Sequence, residues 1–256
     1  MTAFEAVPAP DSRQDVHVHT TFSDDATSSP AACVTAAADA GLRHVCLTDH
    51  VRRDTAWVPA LVGTIDQVRA PRDLTVYTGV EAKVWDSSGR LDLPDELPHL
   101  DRILVADHRF PAPGGPCDPA AIAHDLWAGR VMADEVIALL MSATGSALAT
   151  AAARCERPVI AHLFSILPKL GLSEDDVNPL LVDELAAQAA RTGAILDVNE
   201  KWSCPSPGVV ARFLAAGAEV APGSDAHTAR EVGVHPGAEL TIACARELVA
   251  LAGPVT

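Results

Sequence analysis

Seven short apolar runs punctuate the chain, and each ends in residues that can bind a metal or a proton. The runs at 15–20, 44–48, 74–80 and 101–106 carry or lead into His17-Val18-His19, Asp49-His50, Glu81 and Asp107-His108-Arg109. Those at 158–161, 194–198 and 219–224 lead into His162, Asn199-Glu200 and Asp225-Ala226-His227. Between them lie Ala-rich amphipathic stretches, read as helices at about 30–40 (closed by Gly41), 59–69, 119–129, 133–154, 174–191, 205–216 and 239–252. Alternation of this kind is the mark of a parallel sheet or a β/α barrel. Active sites of such barrels are built at the C-terminal ends of the strands. The run-end residues are therefore expected on one rim. Two segments break the alternation: an Asp- and Pro-rich insertion at 86–98, and a Gly/Pro loop at 111–119 that reads either as a lid or specificity loop or as a solvated insertion.

Side chains two apart on a strand share a face, so His17 and His19 aim at one point. As a dipeptide alone the pair reads equally well as an ordinary polar strand. The remaining run ends decide for chemistry, because they gather a donor set of His17, His19, Asp24, His50, Glu81, His108, His162, Asp225 and His227. All are nitrogen or oxygen donors and none is sulfur, which suits Zn, Mn or Fe. Nine donors exceed the needs of one tetrahedral ion and fit two to three divalent ions, with a carboxylate such as Glu81 bridging.

Composition narrows the function classes. A formal net charge of −15 argues against wrapping a long nucleic acid, which needs a basic face, but leaves room for a small phosphorylated substrate. No run of about 18 apolar residues is present, so no membrane span and no membrane partner are expected. Residues 1–10 lack a basic stretch followed by an apolar one, and so do not read as a secretory signal. Six cysteines without CxxC spacing read as reduced thiols of a cytoplasmic protein. The oligomeric state is not legible.

At this point the chain resembles a known family, the PHP (polymerase and histidinol phosphatase) metallohydrolases, and histidinol phosphatases in particular. The family's motifs run in order: Asp15-Val16-His17-Val18-His19-Thr20 with Ser23-Asp24, Thr48-Asp49-His50, His162, and Gly223-Ser224-Asp225-Ala226-His227. Glu81 after Gly79-Val80 matches a bridging glutamate, and His108 matches the histidine after the next strand. Leu196-Asp197-Val198-Asn199 resembles a Glu-x-Asn segment with Asp in place of Glu. The resemblance covers about 15–233 and implies a single-domain α/β fold across 1–256, a distorted (β/α)7 TIM-like barrel. It also implies a di- or trinuclear centre. One ion would take His17, His19, Glu81 and Asp225; a second would share Glu81 and take His108 and His162. A third would take His50, His227 and Asp24, with Asp25 as the alternative to Asp24.

The expected activity is a metal-dependent phosphoesterase acting on a small phosphomonoester, with Glu81, Asp225 and His227 catalytic. Nucleotide or cyclic-nucleotide phosphodiesterase or exonuclease chemistry, and a non-catalytic metal-holding module, are the alternatives. Arg109, Lys201 and Arg230 follow ligands closely, so each is a candidate grip for phosphate; a solvated rim charge is the other reading. The Arg52-Arg53 pair stands behind them. Asp15 and Asp49 are read as partners that orient imidazoles. His44, His99, His124 and His235 read as surface or packing residues. Ser165 and Ser224 lack a base, which argues against serine nucleophiles.

Overall fold

The computed structural model describes residues 13–252, so the reading of residues 1–10 lies outside the described residues. Among the described residues nine strands occur in chain order: β1 (Gln14–Val18), β2 (His44–His50), β3 (Thr75–Lys83), β4 (Arg102–Ala106), β5 (Phe110–Ala112), β6 (Gly115–Cys117), β7 (Arg157–Ile160), β8 (Ile195–Asn199) and β9 (Glu219–Gly223). Seven of them pair in parallel in the order β1-β2-β3-β4-β7-β8-β9. A bridge from Val18 to Ala226 and a bond from the His19 amide to the Ala226 carbonyl (2.8 Å) bring the two edges together. The result is a nearly closed seven-stranded barrel, as the run pattern implies.

The helices are α1 (Pro30–Asp39), α2 (Val58–Gln67), α3 (Pro119–Trp127), α4 (Ala133–Ala152), α5 (Leu167–Leu170), α6 (Pro179–Thr192), α7 (Pro207–Ala215) and α8 (Pro236–Ala252). Proline opens five of them, where its missing N–H and fixed φ cost nothing. Ser29, Asp118 and Asn178 cap α1, α3 and α6 by accepting from the second or third helical amide.

Alternation along the strands divides the core. Leu104, Ala106, Val159, Ala161, Ile195 and Ala221 fill the barrel, while Val80, Ile103, Val105, Ile160, Leu196, Val198 and Val220 face the helices. Val16 also lies inside the barrel and Val18 outside. In the register, Asp15 pairs with Val45 and Val18 with Leu47, so three steps of β1 oppose two of β2. That bulge falls at Val16-His17, within the histidine motif, and such an insertion re-aims the side chains around it.

Several sequence expectations need correction. The loop at 111–119 contains the β5–β6 hairpin, turned by Pro113 and Gly114. The helix expected from 174 to 191 splits into a 3-10 turn (Glu174–Asp176) and α6, because Asn178-Pro179 supplies a fresh cap and start. α8 begins at Pro236, three residues before the expected start, with the Glu200 carboxylate accepting from the Ala238 amide at 2.8 Å. The insertion at 86–98 opens with a turn in which Trp85 and Arg90 pair (2.6 Å) and Val84 bridges Leu91. α4 is long and apolar enough to cross a membrane by length and composition, with mean hydropathy 1.4, although no 18 consecutive apolar residues occur. More than half of that window is buried, against β4, β7 and α6.

Candidate metal centre

Glu81 is the centre of the rim. It lies on β3 with its side chain turned inward and almost fully buried. Its Oε1 stands 2.9 Å from His162 Nε2, 3.2 Å from His108 Nε2 and 3.6 Å from His17 Nε2. Its Oε2 stands 2.6 Å from His50 Nδ1 and 3.7 Å from His19 Nε2. The His50 approach is close but misaligned, and Oε2 makes no hydrogen bond. Two pairs of imidazole nitrogens face each other directly: His17 Nε2 to His19 Nε2 at 3.0 Å, and His108 Nε2 to His162 Nε2 at 3.2 Å.

The far side of these rings is held as a ligand's should be. His17 Nδ1 donates to Asp197 Oδ2 at 3.0 Å, and His162 Nδ1 to Asp107 Oδ1 at 3.3 Å. These bonds assign the ring proton to Nδ1 and leave Nε2 free to ligate. His19 Nδ1 lies 3.4 Å from Ser23 Oγ. His227 Nδ1 lies 2.8 Å from the Asp225 carbonyl, which leaves its Nε2 pointing toward Asp25 at 3.3 Å. Asp225 Oδ1 stands 3.4 Å from His19 Nε2, and the Trp202 indole donates to its Oδ2 at 3.0 Å. His162 and Asp225 both hold positive φ (30° and 54°), a conformation that costs energy for such residues and gathers at functional sites. Gly223 is required by close approach: a Cβ there would meet the Asp197 carboxylate and His17.

Charge follows the same layout. Burial alone would raise Glu81, but His108 and His17 outweigh it and hold the carboxyl well below the usual range. Burial likewise opposes the Asp225 carboxylate, and His17 and His19 overcome it. His17 and His162 are buried, which disfavours their charged forms. Asp225 and Glu81 nevertheless raise His17, while Asp107 and Glu81 push His162 up to about 10. His19 is carried down to about 3, burial being the main cause and Asp225 opposing it. A buried cluster of carboxylates, each facing several imidazoles, attracts protons strongly, and the same donors suit cations with more than one charge.

The donors fall into two groups. The inner one gathers His17, His19, Glu81, His108, His162 and Asp225. The outer one joins His19, His50 and His227, with the carboxylate of Asp25 rather than Asp24: Asp25 Oδ2 lies 3.5 Å from His50 and 3.3 Å from His227. Asp24 is exposed and lines the same cavity. All nine expected donors therefore lie at one rim, and Asp25 adds a tenth carboxylate-or-imidazole partner that the sequence reading held as an alternative. Asp15 and Asp49 act differently from the expectation. Asp15 accepts from Ser224 and Gly233, so it ties down the loop that carries Asp225. Asp49 accepts from Thr20 and Ser23 and fixes the turn after His19, reaching that imidazole only through Ser23. Burial raises both carboxyls, against those hydrogen bonds.

A cavity of about 1000 Å³ opens over the cluster. Lys201 Nζ lies 3.5 Å from Asp225 Oδ1 and beside the His227 ring. Arg109 reaches the lining while paired with Asp118 at 3.0 Å. Arg230 is exposed and outside the lining. Ser165 donates to Asp107 and Ser224 to Asp15, so both hydroxyls serve as supports. His44 stacks on Tyr77 and His124 on Trp127. His99 is exposed, and His235 is buried 3.4 Å from Glu239. Asp107, which supports His162, is not singled out by sequence reasoning; its place at the end of an apolar run, before His108, is the available signal. Trp202 left none.

The PHP domain family matches residues 15–143, half of the chain, which takes in β1 to most of α4. The chain belongs to the PHP domain family. His162, Asp225 and His227 lie beyond that stretch, and the barrel brings them to the same centre. A protein of Caldicellulosiruptor bescii described as a probable phosphatase is 31% identical over 104 residues; the match spans 40% of this chain and 43% of that protein. Among solved structures, the histidinol phosphate phosphatase of Lactococcus lactis, determined with zinc, L-histidinol and phosphate, superposes with a TM-score of 0.62 at 17% identity, over 94% of each chain. A second, from Listeria monocytogenes, gives 0.54 at 14% identity, over 86% of this chain and 97% of its own. Both share this barrel fold.

Proposed function

We propose that this barrel, with its motifs spanning 15–233, is a metal-dependent phosphatase that hydrolyses small phosphomonoesters, working in the reducing compartment that its six free thiols fit, the cytoplasm. The observation that carries the reading is Glu81: one buried carboxylate with five imidazoles from four different segments turned toward it, at 2.6 to 3.7 Å. The donor set fits two to three divalent ions of the Zn, Mn or Fe kind. His17, His19, Glu81 and Asp225 would hold one; Glu81, His108 and His162 a second; His50, His227 and Asp25 a third. Such ions lower the pKa of a bound water toward neutrality and polarise phosphoryl oxygens.

The chain's own residues do the rest. Asp197 and Asp107 keep His17 and His162 in the tautomer that presents Nε2. Lys201, at the cluster's edge, is placed to bind a non-bridging phosphate oxygen, and Arg109 adds a second cation farther out. Charge on the equatorial oxygens grows in the transition state, and fixed cations offset it without reorganising. With the third ion absent, His227, half-buried at the mouth, is the candidate to hand a proton to the leaving oxygen. The acidic chain supports a small substrate over a polynucleotide.

The test is purified protein assayed with Mn or Zn against a panel of phosphomonoesters and phosphodiesters. Turnover of monoesters that ceases on chelation and returns with metal is expected. Hydrolysis of diesters alone would assign the phosphodiesterase activity instead.

A further inference from the structure

The cavity wall beside Glu81 is cationic and built. Lys83 lies two residues beyond Glu81 on β3 and so shares its inward face. Its Nζ meets the buried Asp92 carboxylate at 2.6 Å. The same carboxylate accepts from the Arg53 amide at 3.1 Å and lies 3.8 Å from Arg53 Nε. The Arg53 guanidinium lies over the Trp85 ring, its Cζ 3.6 Å from the ring centre. A guanidinium so placed keeps its edge N–H groups free, and that edge suits a carboxylate or a phosphate. One carboxylate thus serves two fixed cations, so a positive charge is left over on this wall. Arg52 stands next to it, exposed, with no side-chain ion pair among the described residues. Outside the ligand cluster, the whole lining carries six cationic side chains against three carboxylates, in a chain of net charge −15.

Such a wall repels an ammonium and attracts a second anion. Resting on the phosphatase reading, we propose that the Arg53–Trp85–Lys83–Asp92 wall selects phosphomonoesters whose leaving group carries a second anionic group, a carboxylate or a phosphate. Esters with a cationic leaving group, such as the amino alcohol bound by the Lactococcus lactis structure, are then disfavoured. Asp92 is a positioning residue here, and Arg53 is the residue that meets the ligand. A neutral leaving group falls between the two classes, because it loses the ion pairing but meets no repulsion.

The experiment uses the full chain loaded with Mn. Turnover is measured on three-carbon esters of graded charge: glycerol 3-phosphate, 3-phosphoglycerate, 1,3-propanediol bisphosphate, and 3-aminopropyl phosphate. Binding is measured separately by calorimetry with two inert phosphonates, propylphosphonate and 3-phosphonopropanoate. The expected result is a kcat/KM at least ~tenfold higher for the carboxylate or bisphosphate ester than for glycerol 3-phosphate, expressed mainly in KM, with the amine ester slowest. The two anionic esters tell carboxylate from phosphate. 3-Phosphonopropanoate should bind more tightly than propylphosphonate by a similar factor. Arg53→Gln should bring both ratios toward one, and Arg53→Lys should restore part of them. Turnover of all four esters at equal efficiency, with the two phosphonates bound alike, overturns this inference and leaves the phosphatase reading standing. A preference for 3-phosphonopropanoate without turnover of any ester supports the anion wall and overturns the phosphatase reading.

Discussion

The inner and outer halves of the metal centre meet at His19 and Glu81 and differ in how their donors are supported. The inner half is buried except for His108, whose side chain is 30% exposed, and Asp197 and Asp107, themselves buried, hold the His17 and His162 rings from behind. In the outer half, His50 has 30% of its side chain exposed and Asp25 has 55%. Asp25 comes from a short turn, and Asp49 fixes the start of that turn rather than the carboxylate itself. Preorganised, dehydrated donors bind with little left to order, whereas exposed ones must be ordered on binding. The inner half should therefore hold metal tightly and the outer half weakly, and each substitution below separates the two.

The largest effect is expected at the carboxylate both inner sites use. Glu81→Gln keeps the shape but removes the shared charge, so turnover should fall by two orders of magnitude or more, on the scale of losing a key electrostatic group. Circular dichroism should show the barrel intact, since Glu81 packs against the ligand cluster and the apolar layers lie below it. Near-normal turnover would erase the distinction between the halves.

The next is Asp197→Asn, which removes the charge behind His17. Loss of such a supporting partner costs about 10- to 100-fold in metal affinity, read by competition with a chromophoric chelator. The outer half should not respond, and a uniform loss at all sites would count against the division.

Asp25→Asn should weaken only the last ion to bind, with a smaller drop in activity, while Asp24→Asn should leave the titration unchanged. The reverse order would restore the first sequence assignment.

The smallest expected effect is on stability. In the metal-free protein, His162 and His17 sit above the ordinary histidine value. A raised folded-state pKa means the folded chain binds more protons than the unfolded one. That stabilisation is complete below about pH 6.5 and fades as pH rises through about 10 for His162. His19, carried down to about 3, opposes this fall only near pH 6.5 to 7, where the unfolded histidine still binds protons, and adds no slope at higher pH. The Tm of chelated protein should fall between pH 7 and 10, and metal should flatten that fall. A Tm that rises over the range without metal would contradict the charge layout.

Much of this layout was legible in the sequence. Each strand is an apolar run, and each ligand stands at its end, because a barrel must bury its strands and can place polar side chains only where they stop. His17-x-His19 and Asp225-x-His227 were readable because a period of two is a local rule. What escaped depends on distant partners. Asp107 differs from any other run-end acid, and Asp197 from any other acid within a run, only by which imidazole stands opposite. Asp15 and Asp49 support loops rather than rings because Ser224, Gly233, Thr20 and Ser23 bring backbone amides to them. The bulge in β1 is a matter of register against β2, and the 111–119 hairpin is hidden by its prolines, which look like loop punctuation.

The most direct test is to crystallise the protein with Mn and locate the ions by anomalous scattering. The account predicts two strong peaks sharing Glu81, one bounded by His17, His19 and Asp225 and the other by His108 and His162. A third, weaker peak should lie among His50, His227 and Asp25. A single peak in the outer group, or two peaks neither of which contacts Glu81, would contradict it.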